Sequence, residues 1–100
     1  MYKRQGDIGI HIAEDGTKAE IGFSLNRDFQ SKGLAHEAVS AAIKWVFAAT
    51  TAQKVVGITD ARNAPSIKLL QRLGMLQTDT LNTIFQGEPC IEYVFECSRV

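Results

Sequence analysis

Residues 19–45 read AEIGFSLNRDFQSKGLAHEAVSAAIKW: an alternating strand, a polar turn through Gln30, Ser31, Lys32 and Gly33, and then a long amphipathic helix. That order predicts an anion-binding helix start. Four amides at the beginning of any helix lack intrahelical acceptors, and the aligned peptide dipoles leave partial positive charge there. A helix start usually answers this with an early carboxylate, whereas this one has Lys32 at its start and Arg27 just upstream. Gly33 and Ala35 keep side chains out of the way, so the backbone can approach a phosphate or pyrophosphate closely. Taken alone, the same residues also fit a surface turn with a solvated Lys32.

The flanking elements complete an α/β pattern. Ile8, Ile10 and Ile12 alternate with Gly9, His11 and Ala13 as in a half-buried strand, and Asp15-Gly16 signals a hairpin. The strand from Ala19 to Leu25 puts Ile21, Phe23 and Leu25 on one face and Glu20, Gly22 and Ser24 on the other. Leu34, Ala38, Ala41, Ala42, Trp45, Val46 and Ala49 recur at helical spacing, which predicts a helix from about Gly33 to Ala49 with that stripe on the sheet. Lys54 to Thr59 is β-branched without alternation, as a central strand covered on both faces would be. Asn63 can cap a second helix, Pro65 fits its first turn, and Gly74 supplies a left-handed stop. A strand from Met75 to about Thr80, a turn at Gln86-Gly87-Glu88-Pro89 and a strand from Ile91 to Cys97 close the chain. The order β-β-α-β-α-β-β predicts a mixed, mostly antiparallel sheet with two helices.

Composition bounds the function. One hundred residues with 45% apolar and 22% charged content suit a single domain over residues 1–100. Eleven basic and eleven acidic side chains cancel, which argues against a nucleic-acid or anionic-membrane partner. No apolar run approaches the roughly 20 residues of a membrane span, and the start MYKRQGD lacks a signal peptide's apolar stretch, so a cytoplasmic location is expected. Cys90 and Cys97, seven apart on one strand, point to opposite faces and are read as free thiols. His11 and His36 have no partners at metal-ligand spacing, so no metal is expected and both read as surface or partly buried imidazoles. No nucleophilic triad is evident; Trp45, Tyr93 and Phe95 read as core, and Arg62 as a solvated loop residue within reach of a phosphate.

Gln30-x-x-Gly33-x-Ala35 resembles the Q/R-x-x-G-x-G/A signature of the GCN5-related N-acetyltransferases, the GNAT family. Asn63-Ala64-Pro65-Ser66-Ile67-Lys68-Leu69-Leu70-Gln71-Arg72-Leu73-Gly74-Met75 is similar to that family's N-x-x-S-x-x-L-L-x-x-x-G-F segment. The two segments stand in the family's order and separation. Their wording is closest to the branch that acetylates ribosomal-protein N-termini and related small-molecule amines, and the resemblance covers Ile8 to Glu96. It implies the GNAT fold, here without the family's first strand and the two helices that line the acceptor pocket, since seven residues precede Ile8.

The resemblance also implies roles. Acetyl-CoA would rest its pyrophosphate on the amides of Lys32, Gly33, Leu34 and Ala35, beside Gln30, with no metal involved. Its pantetheine arm would run beside Phe23 to Leu25, where the two central strands splay. Acyl transfer to an amine needs a proton acceptor and donors for the carbonyl oxygen. Glu20 corresponds to the catalytic glutamate of several relatives and would be the base, acting through water from a cleft; a solvated or edge-strand glutamate is the other reading. The oxyanion donor would be a backbone amide near Phe23 to Leu25. Asn63 is a helix cap that also reaches the pantetheine or an ordered water. Ser66 is either a first-turn filler or a hydrogen-bond partner near the thiolate. Many relatives carry a tyrosine acid where this chain has Leu70, so water or another residue takes that part, or the thiolate leaves unprotonated. The expected function is N-acetylation of a primary amine, a small molecule or a peptide N-terminus. A non-catalytic acyl-CoA-binding module, or a structural fragment acting in an assembly, is the alternative. Without the opening segment an unpaired apolar edge at Ile8 to Ile12 is expected, and with it a homodimer that covers this edge.

Overall fold

The computed structural model of the chain describes residues 8–23 and 34–99 and the backbone of residues 2–5, and among these, eight elements build a six-stranded sheet and a helical layer. They are β1 (Tyr2–Gln5), β2 (Ile8–Ile12), β3 (Lys18–Phe23), α1 (Leu34–Ala49), β4 (Lys54–Asp60), α2 (Ala64–Arg72), β5 (Leu76–Phe85) and β6 (Glu88–Ser98). The strands lie in the order β1-β2-β3-β4-β6-β5. β3 and β4 pair in parallel through the α1 crossover, and the other neighbours are antiparallel.

β1 corrects the expected edge. Tyr2 to Gln5 pair with Ile8 to His11, so the isoleucine strand is internal. Tyr-Lys-Arg-Gln shows no apolar alternation, but a backbone ladder asks nothing of side chains, and a short polar strand is a common way to end a sheet. The hairpin at Asp15-Gly16 forms as predicted: Gly16 has φ 74°, and the Asp15 carboxylate accepts from the Thr17 N–H at 3.0 Å and its hydroxyl at 2.7 Å.

One hydrophobic cluster joins Ile8, Ile10, Ile12, Ala19, Ile21, Val55 and Phe95 of the sheet to Ala35, Val39 and Val46 of α1 and Leu69 and Leu70 of α2. Both helices therefore cover the same face. Gly57 lies under α2, where a Cβ would stand 3.0 Å from a Leu70 methyl carbon. Of the predicted stripe of α1, Val46 is buried and Ala38, Ala42 and Trp45 pack against the core, while Leu34 is 46% exposed and Ala41 and Ala49 point outward; Ala35 and Val39 complete the inward side. α1 is apolar around most of its circumference, so spacing alone leaves its rotation open. β4 also departs from expectation, because Val55, Gly57 and Thr59 are buried while Ile58 is exposed. β-Branched residues occupy both of its sides, and sequence cannot separate one covered face from two.

The closing hairpin is longer than predicted. β5 continues past Thr80 to Phe85, β6 begins at Glu88, and Gln86 and Gly87 turn with φ 52° and 81°, the type I′ pattern. Its arms are mostly exposed and lack a buried alternation to announce them.

α2 ends as the sequence predicts. Asn63 Oδ1 accepts from the Ser66 N–H at 3.2 Å, and Gly74, with φ 84°, closes a Schellman motif in which Met75 donates to Leu70 and Gly74 to Gln71. The end of α1 is capped from across the chain instead. The Arg99 guanidinium donates to the carbonyls of Phe47, Thr50 and Ala52 and lies 5.1 Å over the Phe47 ring.

Candidate functional site

The parallel ladder of β3 and β4 starts at Lys18 opposite Lys54 and ends at Ile21 opposite Gly57, yet both strands run on. β3 continues to Phe23, paired outward with Ile8 of β2, and β4 continues to Asp60, paired outward with Glu92 of β6. The two strands thus part into a wedge whose inner edges carry backbone groups with no rung between them. Such edges take an extended ligand that has amides of its own. Both helices start at the open end, since α1 follows β3 and α2 follows β4. The crevice at the carboxyl ends of parallel strands, beside helix N-termini, is where α/β sheets bind phosphorylated ligands.

At that end Ala35 is buried in the core and Leu34 is exposed; Asn63 is exposed and caps α2, and Ser66 is 4% exposed. Phe23 is half-buried and packs on the core. Leu25, Gln30, Lys32 and Gly33, with Ser24 and Arg27, lie outside the described residues.

Glu20 sits on the sheet face opposite the helices, exposed, one rung before the ladder ends. It looks onto an open face rather than into a cleft, and β3 is flanked on both sides, so it is not an edge-strand residue. A single row crosses the sheet here: His11, Glu20, Val56 and Glu96 are successive register partners. Glu96 is engaged, accepting from the Thr78 hydroxyl at 2.7 Å and lying 3.4 Å from Lys54 Nζ. The Thr78 hydrogen bond and then the Lys54 charge hold its carboxyl below the usual value. Among the described residues no hydrogen bond or ion pair engages Glu20. Two residues beyond Glu20 on the same face, Gly22 pairs with Gly9, and a Cβ on Gly22 would meet nothing within 4 Å.

Leu70 is fully buried against Gly57, so the place of the tyrosine is a core position in this chain. Phe95 is 1% exposed, while Trp45 and Tyr93 are half-buried against the core. His11 is exposed and His36 half-buried. Among the described residues no group of three or more His, Cys, Asp or Glu could hold a metal ion.

One cluster escaped the sequence reading. Asp60 accepts from the Arg62 N–H at 2.7 Å, from its Nε at 3.1 Å and NH2 at 3.0 Å, and from the Cys90 thiol at 3.1 Å. Arg62, whose side chain is 82% exposed, is thus anchored rather than merely solvated. Its hydrogen bonds hold the Asp60 carboxyl well below the usual carboxylate range, and the bond to Asp60 pushes the Cys90 thiol up, which disfavours a nucleophilic thiolate. An aspartate two residues before an arginine after a strand is a legible turn signal. The cysteine thirty residues on is not, because only the sheet brings it there. Both cysteines are free.

Residues 3–76 match the family described as the acetyltransferase (GNAT) domain. The uncharacterized N-acetyltransferase p20 of Bacillus licheniformis is 37% identical over 69 residues, which are 68% of this chain and 39% of that protein. A GNAT-family acetyltransferase from Bacillus anthracis superposes with a TM-score of 0.82 at 24% identity, covering 91% of this chain and 56% of the other. A ribosomal-protein alanine acetyltransferase from Vibrio fischeri gives a TM-score of 0.80 at 22% identity, covering 91% and 52%. The chain spans about two fifths of the curated relative and just over half of these two solved ones.

Proposed function

This chain belongs to the GNAT acetyltransferase family, and on that premise we propose that it binds acetyl-CoA in the wedge between β3 and β4 and serves its transfer to a primary amine. The observation that carries this reading is the ladder that stops at Ile21 and Gly57 while both strands run on toward two helix starts. The backbone at Phe23 faces the pantetheine amides, and Leu25 is assigned to the same arm from the family resemblance. The turn of Gln30, Lys32, Gly33, Leu34 and Ala35 holds the pyrophosphate, and Asn63 and Ser66 line the arm from α2. When bound, acetyl-CoA supplies an acyl carbon open to attack by an amine.

Glu20 is the base. It removes the acceptor's proton through water on the open face, and a backbone amide near Phe23 to Leu25 donates to the oxygen as charge develops. Leucine at position 70 removes the relatives' tyrosine acid, so water or another residue takes that part, or the thiolate leaves unprotonated, which a thiol pKa of about 8.5 makes tolerable. The acceptor is a small-molecule amine or a protein N-terminus, and the ribosomal-protein acetyltransferase among the structural neighbours supports the latter. We place the reaction in the cytoplasm, whose reducing conditions keep Cys90 and Cys97 as thiols. We also propose a homodimer, now because Leu76, Ile84 and Phe85 along edge strand β5 are 73%, 77% and 65% exposed. Sedimentation showing a monomer with no concentration dependence would remove that proposal.

The decisive experiment is thermal-shift titration with acetyl-CoA, followed by thiol release against a panel of amines that includes an alanyl peptide. Acetyl-CoA should raise the melting temperature, and Gly33→Glu, which sets bulk and negative charge against the pyrophosphate, should erase the shift without unfolding the protein. A wild-type chain that shows no shift sinks the reading.

A further inference from the structure

We infer that His11 is a positioning residue for Glu20, receiving the proton that Glu20 removes from the acceptor and passing it to solvent; this rests on the reading of Glu20 as the base. The two residues are direct register partners on neighbouring antiparallel strands, both exposed on the open face. Residues so placed have Cβ atoms about 4.5–5.5 Å apart, within reach of an imidazole nitrogen and a carboxylate oxygen, directly or through one water. On its other side Glu20 faces Val56, which carries no proton.

Among the described residues the remaining charged neighbours do not compete for this part. Lys18 shares the face one rung back in β3, opposite Lys54, whose ammonium lies 3.4 Å from Glu96. Asp15, in the turn beyond, holds Thr17. Tyr2 of β1 is the register partner of His11 on the far side, and both helices pack on the opposite face. Gly22, on the same face two residues beyond Glu20, brings no side chain to the approach from the wedge.

The proton bookkeeping closes. An N–H bond of the acceptor ammonium breaks and its proton joins a Glu20 oxygen, leaving the amine's electron pair free to attack. The carboxylic acid then gives that proton to a ring nitrogen of His11, since an imidazole is a stronger base than a carboxylate. The imidazolium releases it to bulk water. After attack a second N–H bond of the nitrogen breaks, and that proton goes to the departing coenzyme A sulfur or, where this leaves as the thiolate, to water, so that both side chains return to their starting state.

Wild type, His11→Gln, Glu20→Gln and the double variant are compared by thiol release from acetyl-CoA with an alanyl peptide, on both sides of neutrality. Glu20→Gln should lose roughly 10²-fold or more in kcat, as removal of a general base does. His11→Gln should lose roughly tenfold in kcat with both KM values within about twofold, and its pH–rate profile should differ from that of wild type. The double variant should be no slower than Glu20→Gln, and added imidazole should restore His11→Ala. A His11→Gln variant with wild-type rate and pH profile, or a loss that multiplies with that of Glu20→Gln, overturns the inference while leaving Glu20 as the base. A fully active Glu20→Gln, or a wild type without turnover on any amine of the panel, overturns the functional reading and this inference together.

Discussion

The two faces of the sheet are made from the same strands and do opposite things. In β3, Ala19 and Ile21 point under the helices and are almost wholly buried, while Glu20 and Gly22, alternating with them, lie open. On β4, Val55 and Gly57 pack beneath α1 and α2, and Ile58 stays exposed. A strand's period of two thus separates covered from open positions residue by residue, and with Glu20 proposed as the base it would separate stability from chemistry. Substitutions on the covered face should change folding, and those on the open face should change turnover.

The separation breaks most visibly, or holds, at Phe95. Phe95→Ala empties the centre of the covered face and should cost about 3–5 kcal/mol in urea unfolding. Glu20→Gln is the counterpart on the open face, with a loss of roughly 10²-fold in acetyl transfer. Its stability should stay within about 0.5 kcal/mol of wild type and its affinity for coenzyme A unchanged. A Glu20→Gln protein that unfolds early would show the two faces to be coupled. Gly57→Ala should destabilise by about 1–3 kcal/mol, because its Cβ meets Leu70 at 3.0 Å in a packed core. The same change at Gly22, where nothing lies within 4 Å, should be close to neutral for folding.

Arg99→Ala removes donors to three carbonyls at the end of α1 and should lower stability by about 1–2 kcal/mol in thermal or urea unfolding. Asp60→Asn gives the smallest effect and the clearest pH dependence. The folded Asp60 carboxyl is depressed, chiefly by its Arg62 hydrogen bonds, so the ionised form favours folding above the unfolded value of about 3.9. That contribution fades as pH falls through the folded value. Wild type should therefore exceed Asp60→Asn at neutral pH, and the two should converge only in strong acid.

Legibility followed the range of each interaction. Asn63, Gly74 and the Asp15-Gly16 turn act within a few residues of themselves and read directly from the chain. The rotation of α1, the single covered face of β4 and the pairing of β1 do not, because each depends on what another element presents. Among the site residues, Glu20's face was readable from alternation, but its inner position in the sheet was not. Ser66 could be placed in the first turn of α2, while its burial required the packed sheet.

By itself the sequence determined the kinds of every element but β1, the caps and turns that bound most of them, and two motifs in family order, since these follow from local backbone chemistry and side-chain period. Tertiary structure alone decided the register. It set His11 opposite Glu20, brought Cys90 to Asp60 and Arg99 to the end of α1, and stopped the β3–β4 ladder at Ile21 and Gly57. Residues that meet across strands share no spacing that a linear chain can show, and which rung they share is fixed only when the whole sheet packs under its helices.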